Sequence, residues 1–309
     1  MSATAFLRAE RLHFSWDNSL PPVLEISSGT EVTIETWDAS GHVVQRTWTS
    51  ADSSQRVREP GIGHALTGPI GVHGARAGQT LVVETREVCP AAWGYTSFGP
   101  DRGLLPADFP RHYLHIWDLE DGLHGHGLAG VRVPLAPFCG VMGVALAEPG
   151  QHSTSPPRRV GGNMDVRQLT AGTTLYLPIE VDGALFSIGD AHGAQGDGEV
   201  CITAIEMDST TTLRLSLSDC VVREPQLRLD RPPTTIGGAY HGCTAHAPDL
   251  MVAAQNATRY LIEWLCQTTR LCADDAYVLA SVTAELRISQ IVDAPNWTVT
   301  AFFPLAVLE

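Results

Sequence analysis

Residues 173–188 read TTLYLPIEVDGALFSI. Two runs rich in Thr, Leu, Ile, Val and aromatics flank the pair Asp182-Gly183. β-branched and aromatic residues fit a pleated, half-buried surface, and Asp-Gly between two such runs signals a tight hairpin turn. The stretch therefore predicts antiparallel strands. The same texture recurs at residues 31–37 (EVTIETW), 80–88 (TLVVETREV), 200–207 (VCITAIEM) and 212–217 (TLRLSL). Gly and Pro punctuate the chain as far as Pro248, which favours many short strands over long helices. The tail differs. Residues 248–265 (PDLMVAAQNATRYLIEWL) place Leu250, Ala254, Ala257, Leu261 and Leu265 at helical spacing, with Pro248 suited to a first turn. Residues 274–287 (DDAYVLASVTAELR) read as a second helix with an acidic start, and residues 296–307 return to strand. The expected fold is mainly β, an antiparallel β-sandwich-like core with a small C-terminal α-helical part (β/β/α). Its expected parts are an N-terminal β-rich segment over 1–110, a central β-rich segment over 111–247, and a helical pair plus final strand over 248–309.

The hairpin runs directly into residues 189–199, GDAHGAQGDGE. Two aspartates, a histidine, a glutamine and a glutamate sit there among small residues. Carboxylate oxygens and imidazole nitrogens are what a divalent metal takes as ligands, and glycines let backbone approach a ligand closely. In extended chain, residues two apart share a face, so Asp190 pairs with His192 and Asp197 with Glu199. The bland alternative is an Asp/Gly-rich turn whose carboxylates cap amides. Residues 161–165 (GGNMD) form a second glycine-led polar segment bearing Asn163 and Asp165, equally readable as an Asx turn. Asp38 follows the 31–37 strand, and His64 and His73 flank Gly68-Pro69-Ile70.

Composition excludes several chemistries. A formal charge of -14 disfavours nucleic acid and anionic membrane as partners. All 20 basic residues are arginine, so mechanisms needing a lysine are closed to this chain. Residues 1–12 carry no apolar signal core, and no apolar run is long enough to span a bilayer. Seven cysteines without a CxxC pair fit free thiols in a reducing cytoplasm. There is no GxSxG elbow and no HExxH helix. His124-Gly125-His126 spells an HxH pair but lacks the preceding apolar strand expected of a barrel metallohydrolase, and reads as a loop rather than a ligand pair. Cys139 and Cys201 are the thiols nearest this polar sequence; a buried, inert cysteine is the commoner case.

Residues 137–150 (PFCGVMGVALAEPG), 161–165 (GGNMD), 176–206 (YLPIEVDGALFSIGDAHGAQGDGEVCITAIE) and 273–292 together resemble the acetamidase/formamidase family. Residues 67–70 (TGPI) and 93–95 (WGY) match less closely. The resemblance covers nearly the whole chain. It implies a β-rich homo-oligomeric enzyme that binds a divalent metal such as zinc, with calcium a candidate for a second site, and hydrolyses short amides to carboxylate and ammonia. Residues 72–79 (VHGARAGQ) depart from the family, which often carries an acidic residue and a Gly-Asp pair there.

The physical case agrees. A metal polarises a poor electrophile and acidifies a bound water, and a neighbouring carboxylate can move its proton to the leaving nitrogen. Asp38, Asp165 and His192 are the candidate ligands, with His64 and Asp190 as additional ones. Glu199 is the candidate general base and acid, with Asp190 counted beside it in the catalytic group. Gln195 and Asn163 are candidates for holding the substrate amide. Two rival readings stand beside this one: a binding protein for a small ligand or metal without turnover, and an amidase using Cys139 or Cys201.

Overall fold

The computed structural model describes residues 4–55, 63–230 and 238–308. Two nine-stranded sheets face one another. The first runs, in spatial order, Thr4–Leu7, Thr30–Thr36, Ser209–Ser218, Thr80–Pro90, Thr173–Pro178, Gln226–Leu229, Tyr240–Ala247, Trp297–Pro304 and Glu285–Gln290. All its pairings are antiparallel except Thr4–Leu7 with Thr30–Thr36. Its strands alternate: Thr30–Thr36 and Thr173–Pro178 bury every second residue. Val32, Ile34, Leu81, Val83, Leu175, Leu177, Leu213 and Leu215 point into the main core, each contributing about 1.5–3 kcal/mol when taken fully out of water.

The second sheet is built around Phe186–His192. Phe138–Gly143 flanks it on one side; Leu66–Val72 and Glu206–Met207 flank it on the other. Gly161–Asn163, Trp93–Phe98 and Tyr113–Asp118 extend the sheet, and Leu12–His13 and Leu24–Ile26 pair with Leu66–Val72. Every residue of Leu66–Val72, Phe138–Gly143 and Phe186–His192 is buried. One face meets the first sheet through Leu66, Ile70, Phe138, Met142, Phe186 and Ile188. Polar side chains on these strands are therefore enclosed, which is what turns Asp190 and His192 into an interior site.

Leu250–Thr268 and Ala273–Thr283 form the helical part. Ala253, Ala257, Leu261 and Leu265 of the longer helix pack against Tyr240–Ala247 and Trp297–Pro304 of the first sheet. Asp249 caps its start by accepting from Val252 N at 2.9 Å, so Pro248 precedes the cap rather than occupying the first turn. The mainly β fold, its antiparallel sheets and the C-terminal helical part follow the sequence reading, except that the second helix ends at Thr283 and Glu285–Gln290 forms a strand before the final one.

The hairpin over 173–188 does not form. Thr173–Pro178 pairs with Thr80–Pro90 and Gln226–Leu229 in the first sheet, whereas Phe186–His192 belongs to the second. Asp182-Gly183 carries the chain from one sheet to the other. Ala184 (φ 65°) and Leu185 (φ 55°) are left-handed, which separates the two strands. Asp-Gly specifies a turn; partners distant in sequence decide what it joins. The strand also starts later and runs further than its apolar run suggested, to His192, while 200–207 keeps only Glu206–Met207 as strand.

Candidate active site

Phe186–His192 delivers Asp190 and His192 to one pocket, and Glu206 reaches it from the adjacent strand, where it is register partner to His192. His192 Nε2 lies 3.3 Å from Asp190 Oδ1 and 3.2 Å from Glu206 Oε2. His192 Nδ1 sits 2.9 Å from Gln195 Oε1, and Gln195 Nε2 donates to the Asp165 carbonyl at 2.8 Å. That second bond fixes the amide's orientation, so Gln195 Oε1 must accept from Nδ1–H. Nε2 is then the ring atom turned toward Asp190 and Glu206.

Asp165 closes the other flank, its Oδ1 3.9 Å from His192 Nδ1. His64 Nε2 stands 3.9 Å from Asp190 Oδ2, while its Nδ1 is 3.1 Å from Thr154 Oγ1. Two sets of ligand-type atoms lie close enough to share an ion: Asp165, His192 and Glu199, and Asp190, His192 and Glu206. Gly140, on the neighbouring strand, makes the room. A Cβ there would press on Asp165 Oδ1 and stand 2.7 Å from His192 Cε1 and 3.1 Å from Asp190 Oδ2. Asp165 (φ 50°), Asp190 (φ 57°) and Glu199 (φ 48°) all occupy the left-handed region. Three strained carboxylate residues around one point are what a functional constraint leaves behind.

The residues line a cavity of about 560 Å³, with His64, Tyr95, Asn163, Asp165, Asp190, Glu199, Glu206 and Asp293 on its walls. Burial pushes the Asp165 carboxyl well above the usual range, with Glu199 and Asp293 adding to the shift. Burial does the same to Glu199, again reinforced by Asp293. Burial lifts Glu206 to about 7 and Asp293 to about 6. Asp190 goes the other way: burial opposes ionisation, but His192 and His64 outweigh it and hold the carboxyl below the usual range. Burial works against His192, yet Glu206 and Asp190 raise it well above an ordinary imidazole. The cleft thus crowds carboxyl groups, most of them raised and Asp190 lowered, against two imidazoles.

The donor set fits a divalent cation. Asp165 Oδ1 and Oδ2, Asp190 Oδ1, His192 Nε2 and Glu206 Oε2 are buried and lack a hydrogen-bond partner among the described residues. Buried polar atoms are nearly always satisfied, so five such atoms converging on one cleft mark a place for an ion.

The structure brings together Asp165, Asp190, His192, Glu199, His64 and Asn163 of the sequence candidates. Asp38 stands behind this group. Its Oδ1 accepts from Ser40 N at 2.6 Å and Tyr95 Oη at 3.1 Å, its Oδ2 from His42 N at 3.2 Å, and its nearest ligand-type neighbours are His42 and Asp208. Tyr95 in turn lines the cavity. Sequence reasoning missed Glu206 and Asp293. The available signals were an acid inside the apolar run ITAIEM and one immediately after the apolar end of a strand segment. Cys139 is buried, 3.5 Å from Thr211 Oγ1, and burial pushes its thiol up to about 11. Cys201 donates to the Thr203 carbonyl at 3.4 Å and is also raised by burial. Neither has the lowered pKa of an activated nucleophile.

Comparison with known proteins gives the chain's relatives. The profile of the Acetamidase/Formamidase family matches residues 2–149 and 146–309. A formamidase of Methylophilus methylotrophus is 26% identical, the match covering 97% of this chain and 90% of that protein. An acetamidase of Mycolicibacterium smegmatis is 28% identical over 66% of this chain and 65% of its own. The crystal structure of an acetamidase from Bacillus halodurans superposes with a TM-score of 0.89 at 30% identity, covering 98% of both chains. That of a predicted acetamidase/formamidase from Thermoanaerobacter tengcongensis gives 0.90 at 27%, covering 100% of this chain and 98% of that one.

Proposed function

This chain belongs to the acetamidase/formamidase family and is an amidohydrolase, and we propose that it cleaves short linear amides of the formamide and acetamide kind with the help of a divalent cation. The observation that carries this reading is the set of buried ligand atoms without a hydrogen bond on Asp165, Asp190, His192 and Glu206. Asp190, His192 through Nε2, and Glu206 would hold the cation, with Asp165 and Glu199 on the other flank. One imidazole among carboxylates suits zinc; the all-oxygen flank of Asp165, Glu199 and Asp293 is of the kind calcium accepts. Such a cation, when bound, polarises an amide carbonyl and acidifies water.

The chain's own residues supply the rest. Glu199, buried on the cavity wall, is placed to take a proton from the attacking water and deliver it to the departing nitrogen. Asn163 donates to the Ser155 carbonyl at 3.0 Å, leaving its buried Oδ1 to accept from the substrate amide. Gln195 has both ends of its amide engaged, which makes it a positioning residue for His192 in this reading.

Two further readings belong here. Among the described residues all seven cysteines are free thiols, and no described helix is long and apolar enough to cross a membrane; these support a cytoplasmic enzyme. Glu285–Gln290 is an edge strand with Leu286 and Ile288 exposed, and the preceding helix exposes Tyr277, Val278 and Val282. An apolar face beside an open edge supports a homo-oligomer.

The test is ammonia release from formamide, acetamide and longer amides, measured with metal analysis before chelation, after it, and after metal is restored. Loss and recovery of turnover with metal content is expected. Full turnover by metal-free protein would overturn the cation reading and leave the amidase intact.

A further inference from the structure

The ribbon after Tyr113–Asp118 carries a second constellation, away from the cleft. Asp121 Oδ1 accepts from the backbone amides of Leu123 at 2.8 Å and His124 at 2.7 Å, which fixes the carboxylate. Its other oxygen, Oδ2, lies 3.2 Å from His124 Nδ1 and 3.0 Å from His126 Nε2. His124 pairs with Pro134 across a short ribbon, and His126 exchanges backbone hydrogen bonds with Asp118 at 3.0 and 2.9 Å. Two imidazole nitrogens and one carboxylate oxygen therefore stand within 4.8 Å of one another on backbone that is held at both ends.

We infer that Asp121, His124 and His126 form a surface site for a divalent transition ion such as zinc or cobalt, independent of the cleft. Ligands about 2.0–2.1 Å from a tetrahedral or octahedral ion are themselves about 2.8–3.4 Å apart. The two separations from Asp121 Oδ2 to the histidines fall in or at that range without rearrangement. The imidazoles donate to Asp121 when no ion is present; both rings are partly exposed, so each can carry its proton on the other nitrogen and offer a lone pair. Two imidazoles with one carboxylate favour zinc-like ions over calcium or magnesium, which take oxygen ligands. The three protein ligands leave coordination positions open to solvent.

By sequence the HxH pair reads as a loop rather than a ligand pair, for want of a preceding apolar strand; in the structure His124-Gly125 is itself a short strand. The structure supplies the strand a few residues earlier, Tyr113–Asp118, and the third ligand in the turn between them. The ribbon packs closely on the second sheet: a Cβ on Gly125 would stand 3.1 Å from Ile205 Cδ1 and 3.2 Å from Trp117 Cε3. An ion here cross-links the turn to that ribbon.

The test uses full-length protein and cobalt or zinc ions alone. Equilibrium dialysis compares the wild type and His192→Ala, which empties the cleft of its imidazole, each with and without Asp121→Asn or the pair His124→Asn/His126→Asn. One bound equivalent is expected to remain in His192→Ala and to vanish, with an affinity loss on the order of tenfold or more, when the surface residues change. Bound cobalt should show visible absorption without a thiolate charge-transfer band. Ammonia release by the surface variants should stay within about twofold of the wild type, because none of the three residues lines the cavity. Should His192→Ala fail to fold, the wild type must still bind one equivalent more than its surface variants. Equal stoichiometry and affinity with and without Asp121, His124 and His126, or a thiolate band, would overturn the site.

Discussion

Gln195 Oε1 and His192 Nδ1 lie 2.9 Å apart, three residues from one another in sequence and both buried. This one contact places a proton on Nδ1 and turns Nε2 toward Asp190 and Glu206. Partners of this kind usually affect metal affinity or activity by about 10–100-fold. Gln195→Leu should therefore lower bound metal and ammonia release together, with the melting temperature of metal-free protein little changed. Metal content at wild-type level in a Gln195→Leu protein with normal turnover would refute the assignment.

Gly140 gives a sharper geometric test. Its hydrogen points where Asp165, His192 and Asp190 meet, and a methyl group there has no space. Overpacking of this kind costs about 1–3 kcal/mol, while misplacing reacting groups by an ångström can cost on the order of 10²-fold in rate. Gly140→Ala is expected to fold, by circular dichroism, and to lose most of its metal and turnover. A fully active Gly140→Ala protein would mean that the chemistry lies elsewhere in the cavity.

Glu199 and Cys139 separate the two hydrolytic readings. Glu199→Gln removes a proton carrier without removing volume, and kcat should fall by about 10²–10⁴ while bound metal stays. Cys139→Ala should retain turnover within a small factor, since its thiol is buried and protonated. The reverse pattern, an active Glu199→Gln and a dead Cys139→Ala with its fold preserved, would hand the mechanism to the thiol.

Much of this was legible in the sequence because it was local. The 248–265 periodicity, the strand runs and the dense 189–199 segment each carry their signal within a dozen residues. What escaped was non-local. Asp182-Gly183 cannot reveal whether its two flanking strands pair with each other or with Thr80–Pro90 and Phe138–Gly143, which lie far away in the chain. Glu206 reads as one acid in an apolar strand; only its register opposite His192 shows its place. Asp38 sits at a strand end, as expected, but Ser40, His42 and Tyr95 occupy its carboxylate. A list of suitable residue types does not say which carboxylates keep unsatisfied oxygens.

The exposed edge of the first sheet yields a prediction on assembly. Val282 is 73% exposed and Leu286 53%, on adjoining elements that end the sheet. Apolar surface of this kind is covered in solution when a second copy brings the same patch to it, as twofold symmetry requires. Val282→Asp combined with Leu286→Asp should lower the mass measured by light scattering and leave the cavity residues untouched. An unchanged mass would place the assembly surface elsewhere.

The last prediction concerns acid stability. Burial lowers His241 to about 3, with Arg228 adding to it, and burial alone lowers His246 to about 3. His241 stacks on Trp264 at 3.8 Å, and the Nε2 atoms of both histidines are buried without partners. In the unfolded chain each titrates near 6.5. Between that value and about 3 the unfolded state binds more protons, so stability from these two groups is complete above pH 6.5 and drains away as pH falls. At pH 5 each costs about 2 kcal/mol. Glu224, lifted by burial to about 7, acts in the opposite sense between its ordinary value and 7, so the total slope mixes signs and a variant must isolate the histidine. His241→Phe keeps an aromatic ring against Trp264 and removes the proton site. Its melting temperature should fall less than the wild type's between pH 7 and pH 5. Parallel curves over that interval would show that His241 does not stay neutral in the folded protein.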